Sequence, residues 1–496
     1  MNFASIIYGL FFLITLGLVW GVKTNSMRLV MVVVTSIFFY ASWQIQYLPL
    51  MIGILFINFY LGRWMSNAIE SDHNHSHSAV ENWQWYRFLL LIVGVLSNIC
   101  LLLGFKYTPF VLDILGNLYH RADLLNLGIE IKERVVVPLG ISFFSFECIA
   151  YLIDIYRGAP SASSLLKFSA YKLFFPKLIS GPITRYHSLS GQLLTLRPPH
   201  TDQVASGVWL IACGAFKKAL LADNLGILVR LIFDNLHRAG SWDIQLATFA
   251  YGLQLYLDFS GYVDMARGSG LLLGLNLPEN FQAPYFTTNI ADFWRRWHIT
   301  LGDWLRNYLY FPLGGSRHGL IRTSLNLCGV MIIAGVWHGA AWGFMIWGGL
   351  HGLALVCHRL TVGLSQQISR IGHWWETWTG KVMAWLLTQL VVFGSWIFFR
   401  LPDPKDSGWA ISHLFFHSPD GQFDQKVYME TIGIDRTLVG LALVLLFTSM
   451  GLLNLARVNF KLDLHWSIKL LLSPLCFYLV WLFAPQGGLP YIYFDF

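Results

Sequence analysis

The chain has 496 residues, of which 55% are hydrophobic and only 12% charged, half the roughly 25% expected of a soluble globular chain. That balance excludes an ordinary soluble fold and marks an integral membrane protein. The formal net charge of +7 does not make it a nucleic-acid binder, because its basic residues fall between apolar runs, where the positive-inside bias of membrane proteins puts them.

Apolar runs of the length that crosses a bilayer, about 20 residues, recur at 4–22, 28–43, 46–62, 86–105, 134–154, 203–222, 243–262, 325–337 with 340–357, 381–400, 437–455 and 466–484. The fold class that follows is all-α: a polytopic protein of about 11 spanning helices, with further helices that re-enter or lie flat at the interface, in a single domain over 1–496. The N-terminus has no basic stretch before its first apolar run and no small-residue cleavage site after it, so that run reads as a retained helix. No internal repeat is visible, which speaks against an inverted-repeat transporter. Cys100, Cys148, Cys213, Cys328, Cys357 and Cys476 lie in or beside apolar stretches without a C-x-x-C pair and read as small buried residues. His73, His75 and His77 crowd the polar loop 66–85; that pattern fits a solvated loop better than a metal site.

Charge sets the orientation. Arg157, Lys167, Lys172, Lys177, Arg185 and Arg197 follow one another with no acid between them, so this segment is expected in the cytoplasm, as is the stretch with Arg295, Arg296, Arg306, Arg317 and Arg322. The mixed charges of 401–436 fit the far side. Within the first basic segment, Phe174 to Pro182 is apolar yet punctuated by Pro176, Gly181 and Pro182. Such backbone is tolerated at membrane depth only where protein buries it or water reaches it, so a re-entrant element lining a cytoplasmic cavity is expected. Further on, Asp258 and Asp264 stand in an otherwise apolar run with Tyr256, Ser260 and Tyr262. Two carboxylates there need partners. Either they build a structural network, for instance with the arginines of 295–306, or they orient a catalytic histidine.

The two histidines that draw attention are His298 and His338. Segment 290–310 reads as one helix, with Asn289 as cap and Asp292 in its first turn. Trp294, Trp297, Leu301, Trp304, Leu305 and Tyr308 fall on one stripe, the arginines on the other side, and His298 at the stripe's edge. A helix of this kind lies at the membrane interface. His338 sits inside an apolar run between Gly335 and Gly339, small neighbours that let another helix or a substrate approach. A histidine at such depth is costly and therefore a functional candidate, and a neutral imidazole can take the proton of an attacking hydroxyl.

Five blocks carry a resemblance: Pro138-Leu139-Gly140-Ile141-Ser142-Phe143-Phe144; Phe175-Pro176-Lys177-Leu178-Ile179-Ser180-Gly181-Pro182; Leu257-Asp258-Phe259-Ser260-Gly261-Tyr262; the run from Pro278 through Phe293-Trp294-Arg295-Arg296-Trp297-His298 to Tyr310-Phe311-Pro312-Leu313-Gly314-Gly315; and Val336-Trp337-His338-Gly339-Ala340. Together they resemble the membrane-bound O-acyltransferase (MBOAT) family, in its bacterial alginate O-acetyltransferase branch, firmly over about 135–355 and elsewhere by hydropathy. The resemblance implies a helical disc thinned at its centre, with a cytoplasmic tunnel and an outer funnel. It places the family's near-invariant histidine at His338 and its second active-site position, histidine or asparagine, at His298. Asn307, Gln282-Ala283 and Val263 depart from the residues usual in relatives.

The expected reaction is acetyl transfer from a cytoplasmic thioester, acetyl-CoA, with no tightly bound cofactor and no metal. His338 is expected as general base and His298 as the group that orients the thioester or stabilises the oxyanion. Arg295, Arg296 and Lys177 are the cations that would meet the donor's phosphates, or else are solvated positive-inside charge. The acceptor is expected to be an exported polysaccharide, reached directly or through a periplasmic acetyltransferase partner, at the inner membrane of the cell. Two rivals are D-alanyl transfer to teichoic acid from a carrier protein, as in a sister branch, and a proton-coupled transporter using Asp258, Asp264, His298 and His338.

Overall fold

The computed structural model describes residues 3–72, 77–460 and 464–494, without the side chains of 68–83 and 494. The His73, His75 and His77 side chains thus lie outside the described residues. Among the described residues the architecture is helical throughout, and the one β-pairing is an isolated antiparallel bridge between Phe281 and Trp297.

Among the described residues, seven helical stretches are long and apolar enough to cross a membrane: Asn25–Asn67, Gln84–Leu118, Thr201–Phe233, Gly319–His338, Trp378–Arg400, Arg436–Phe460 and Trp466–Phe483. Their outward side chains are apolar, with Leu471, Trp481 and Leu390 at 76%, 75% and 70% exposure, the pattern of helices whose solvent is lipid. Of the six thiols expected to be buried, Cys148 is; Cys213, Cys328 and Cys476 are half-buried, and Cys100 and Cys357 are exposed; a small apolar side chain sits as readily against lipid as in a core. The expectation of about 11 spans is not matched by this count, for three physical reasons, the first being that the helices of runs 4–22 and 134–154, Ile6–Gly21 and Ile141–Tyr156, are only 16 residues long. Asn25–Asn67 joins the apolar runs 28–43 and 46–62 into one helical stretch of 43 residues. The Ser241–Leu272 and Trp342–Gln367 helices have the length but not the hydropathy, because they carry polar residues such as Asp243, Asp258, Asp264 and His351.

Backbone contacts divide the chain into two units, Met1–Ile211 with Val263–Pro278, and Ala212–Tyr262 with Glu279–Phe496. In the first unit the Ile141–Tyr156 helix buries all but four of its sixteen residues. Its entry is held by Gln44, which accepts from the Leu139 N–H at 2.7 Å and donates to the Val137 carbonyl at 3.2 Å. The Pro- and Gly-broken stretch holds a single turn, Phe175–Leu178, and every residue from Tyr171 to Thr184 is buried. Protein therefore satisfies this irregular backbone, as membrane depth requires. A cavity of about 160 Å³ lies at its end, lined by Thr184, Ser188, Leu189, Asn276, Leu277 and Pro278.

The same stretch corrects the reading of two basic residues. Lys172 and Lys177 are 1% and 3% exposed and are therefore not solvated charge. Both pair with buried Glu147: Lys177 Nζ lies 2.6 Å from each carboxylate oxygen and Lys172 Nζ 3.0 Å from Oε2. Thr184 adds its N–H and hydroxyl to Oε1, each at 2.9 Å. This cluster staples the broken stretch to the Ile141–Tyr156 helix.

In the second unit the Gly319–His338 and Trp342–Gln367 helices form a tightly packed hairpin. A Cβ on Gly335 would fall 2.1 Å from the Phe344 carbonyl oxygen, so the close approach expected at Gly335 is present, backbone against backbone.

Candidate active site

His298 does not lie on a continuous helix. The 290–310 segment breaks at Trp297–His298 into the helices Ile290–Arg296 and Ile299–Leu305. His298 takes the left-handed conformation, φ 45°, uncommon for a side-chain-bearing residue. Neighbouring backbone holds the break: the Gln282 N–H donates to the Arg296 carbonyl and the Ile299 N–H to the Asn280 carbonyl, both at 3.0 Å. The Asn280 side chain accepts from the N–H and hydroxyl of Thr300 at 3.0 and 2.7 Å. The stripe that runs through 290–310 is real but kinked, and the kink turns His298 inward to 0% exposure. Asn289 caps the first helix as expected, accepting from the Asp292 N–H at 2.8 Å. Burial pulls the His298 pKa down to about 3, so its ring is neutral at physiological pH.

His338 is the last residue of its helix and is 3% exposed. Trp337, Phe399 and Trp347 surround its ring at centroid distances of 4.8, 5.0 and 5.1 Å. The two histidines come from different segments and share two neighbours. Trp337 lies 6.0 Å from His298. Tyr493 lies 6.0 Å from His298 and 5.8 Å from His338. Phe259, from the Leu257–Tyr262 block, stacks on Tyr493 at 4.0 Å and meets His298 edge-on at 4.8 Å.

Tyr493 belongs to the C-terminal segment, which the sequence reading did not single out. Gly487 and Gly488 both take left-handed conformations, φ 87° and 54°, which glycine adopts freely. They reverse the chain after the Trp466–Phe483 helix, and Tyr491 and Tyr493 are then 1% and 8% exposed. The signal was available: a Gly-Gly break followed by Tyr491-Ile492-Tyr493 is an apolar aromatic run that must be covered. Burial keeps the Tyr493 phenol well above its ordinary pKa, so it enters the site protonated.

The remaining candidates fall elsewhere. Arg295 and Arg296 stand on the outer side of their short helix, with side chains 66% and 39% exposed, and approach Asp292 at 3.6 and 3.1 Å. Asp258 pairs with Lys218 at 2.6 Å, not with the arginines of 295–306. Asp264 belongs to the residues of the first unit. A third histidine, His351, is 0% exposed. Trp294 Nε1, which can only donate, lies 3.3 Å from its Nδ1. Its Nε2 therefore carries the proton and donates to Ser395 Oγ at 2.9 Å, while that hydroxyl donates to the Val392 carbonyl at 2.8 Å. His351 is a fully wired scaffold residue. Among the described residues no group of three or more His, Cys, Asp or Glu side chains could hold a metal ion.

This arrangement, two buried imidazoles about one tyrosine in a helical membrane protein, meets a direct match in sequence. The model of the membrane-bound O-acyltransferase family covers residues 19–397. The chain belongs to that family. It is 37% identical over 419 residues to the probable alginate O-acetylase AlgI of Pseudomonas syringae pv. tomato, covering 84% of this chain and 75% of that protein. It is 32% identical over 508 residues to the peptidoglycan O-acetyltransferase of Helicobacter pylori, covering 94% and 90%. Likeness to the teichoic acid D-alanyltransferase of Bacillus subtilis is 26% over 280 residues, covering 54% and 70%. As an MBOAT the protein is an O-acyltransferase of the membrane, which displaces the transporter alternative.

Proposed function

We propose that this MBOAT moves an acetyl group from a cytoplasmic thioester, acetyl-CoA, to a hydroxyl of an exported cell-envelope polysaccharide, directly or through a periplasmic acetyltransferase partner. The observation that carries the proposal is the placement of His298 and His338, from separate segments, about the single ring of Tyr493. Acyl transfer needs a base for the attacking hydroxyl and a donor toward the oxyanion. His338 is the base: as its imidazole takes the hydroxyl proton, the oxygen attacks the thioester carbonyl. His298, neutral and donating, steadies the oxyanion until the thiolate leaves, and the proton on His338 returns to the thiolate. Tyr493 gives the site a protonated hydroxyl of the protein's own. Arg295 and Arg296 are the exposed cations that would meet the donor's phosphates. Lys177, held by Glu147, takes no part in donor binding.

The acetyl assignment draws on the greater identity and coverage of the two O-acetyl-transferring relatives than of the D-alanyltransferase. Chemical analysis of the cell-surface polymer, with and without the protein, tests it. Acetyl esters lost on deletion are expected; alanyl esters lost instead would move the protein to the sister activity.

A further inference from the structure

A second buried charge cluster grips the C-terminal segment by its main chain. Lys218 bridges two carboxylates, Asp258 at 2.6 Å and Asp223 at 2.8 Å, and all three residues are 1–3% exposed. Each also reaches the segment beyond Gly488. Asp223 accepts from the Leu489 N–H at 3.2 Å, Lys218 donates to the Pro490 carbonyl at 3.1 Å, and Asp258 accepts from the Ile492 N–H at 3.0 Å. The Lys218 ammonium also lies 4.6 Å over the Tyr491 ring, which meets Tyr262 edge-on at 5.0 Å.

The Glu147 cluster is the internal control. There one carboxylate serves two lysines and Thr184, all within residues 147–184, and no chain end is held. Here two carboxylates share one lysine, and the acceptor capacity left over goes to main-chain N–H groups of the terminal segment. A buried ion pair is weak evidence for stability, since apolar residues in its place are often tolerated or better. Retaining three charged groups is better explained by what they hold.

We propose that Lys218, Asp223 and Asp258 are positioning residues: they clamp residues 489–492 by the backbone and thereby set the Tyr493 ring between His298 and His338. The clamp rests on the acyl-transfer reading for its purpose, though not for its existence. The Asp258 carboxylate fixes the residue immediately before Tyr493, while Phe259, next along the same helix, stacks on the Tyr493 ring. One turn of one helix thus sets both the backbone and the ring.

The test uses the full-length protein in detergent or bilayer. The triple variant Lys218→Met, Asp223→Leu, Asp258→Leu replaces the cluster by apolar side chains, which keeps the fold. Asp258→Asn retains an oxygen for the Ile492 N–H. In the triple variant, the backbone amides of residues 489–493 should exchange hydrogen about tenfold faster than in the native protein, because the segment opens locally. Acetyl transfer should fall about tenfold or more in kcat with the KM for acetyl-CoA little changed. Asp258→Asn should keep both the protection and most of the turnover. Equal exchange protection of residues 489–493 in the native and triple-variant proteins would overturn the clamp, as would rapid exchange there with undiminished kcat. If native protein transfers no acetyl group, the proposed function fails, while the hydrogen-exchange comparison still decides the clamp.

Discussion

Three buried histidines sit in the second unit, and they are wired in two ways. His351 is tied on both nitrogens to fixed scaffold atoms, Trp294 Nε1 and Ser395 Oγ, and its proton has one place to be. His298 and His338 instead flank an aromatic ring, Tyr493, delivered by the segment beyond Gly488. Burial is the same in both regions, so burial alone does not mark a reactive imidazole. What separates them is Tyr493, brought in beyond a glycine turn, which lies 6.0 Å from His298 and 5.8 Å from His338.

The sharpest way to break this contrast is to remove each ring in turn. His338→Ala should lower acetyl transfer by about 10³-fold, the scale of a lost general base, while the protein still elutes as a single species and melts cooperatively. Tyr493→Phe keeps the ring packing on Phe259 and removes one hydroxyl. Turnover should drop about tenfold or more if that oxygen touches the reacting groups, and an unchanged rate would reduce Tyr493 to a filler. His298→Asn keeps a donor and suits the left-handed backbone better than most residues. It should retain about a tenth of the native rate, a level one lost stabilising contact permits, and more than His298→Ala does. His351→Leu should leave kcat within about twofold and cost stability instead, about 2 kcal/mol, since Trp294 and Ser395 lose their buried partner; a melting curve beside a rate assay reads both.

A further effect is one of pH. The folded pKa of His298 is pulled from 6.5 to about 3 by burial. The unfolded chain therefore takes up a proton between those values that the folded chain refuses. Its contribution is intact above pH 6.5 and falls as the solution is acidified, by about 2 kcal/mol at pH 5. Melting temperatures at pH 5 and 7.5 should differ less in His298→Asn than in the native protein.

Much of this was legible in the sequence, and what was not shares one cause. Hydropathy and length marked the helical membrane class. The Asn289 cap, the close approach at Gly335 and both histidines followed from local chemistry. The break at Trp297–His298 was hidden because the apolar stripe of 290–310 runs through it. Only pairing with 280–282, ten or more residues away, stops the helix there. Lys177 read as a free cation because its carboxylate lies 30 residues earlier. Lys218 and Asp258, 40 residues apart, went unmatched for the same reason, and with them the docked C-terminus. Local pattern gave the elements; partners distant in the chain decided which charged groups were free.

The most direct test compares two single variants of purified, bilayer-reconstituted protein, His338→Ala and His351→Leu, for acetyl transfer from acetyl-CoA. The account predicts a folded, inactive His338→Ala and a less stable His351→Leu that turns over at close to the native rate. Native-like turnover by His338→Ala, or inactivity of a demonstrably folded His351→Leu, would contradict it.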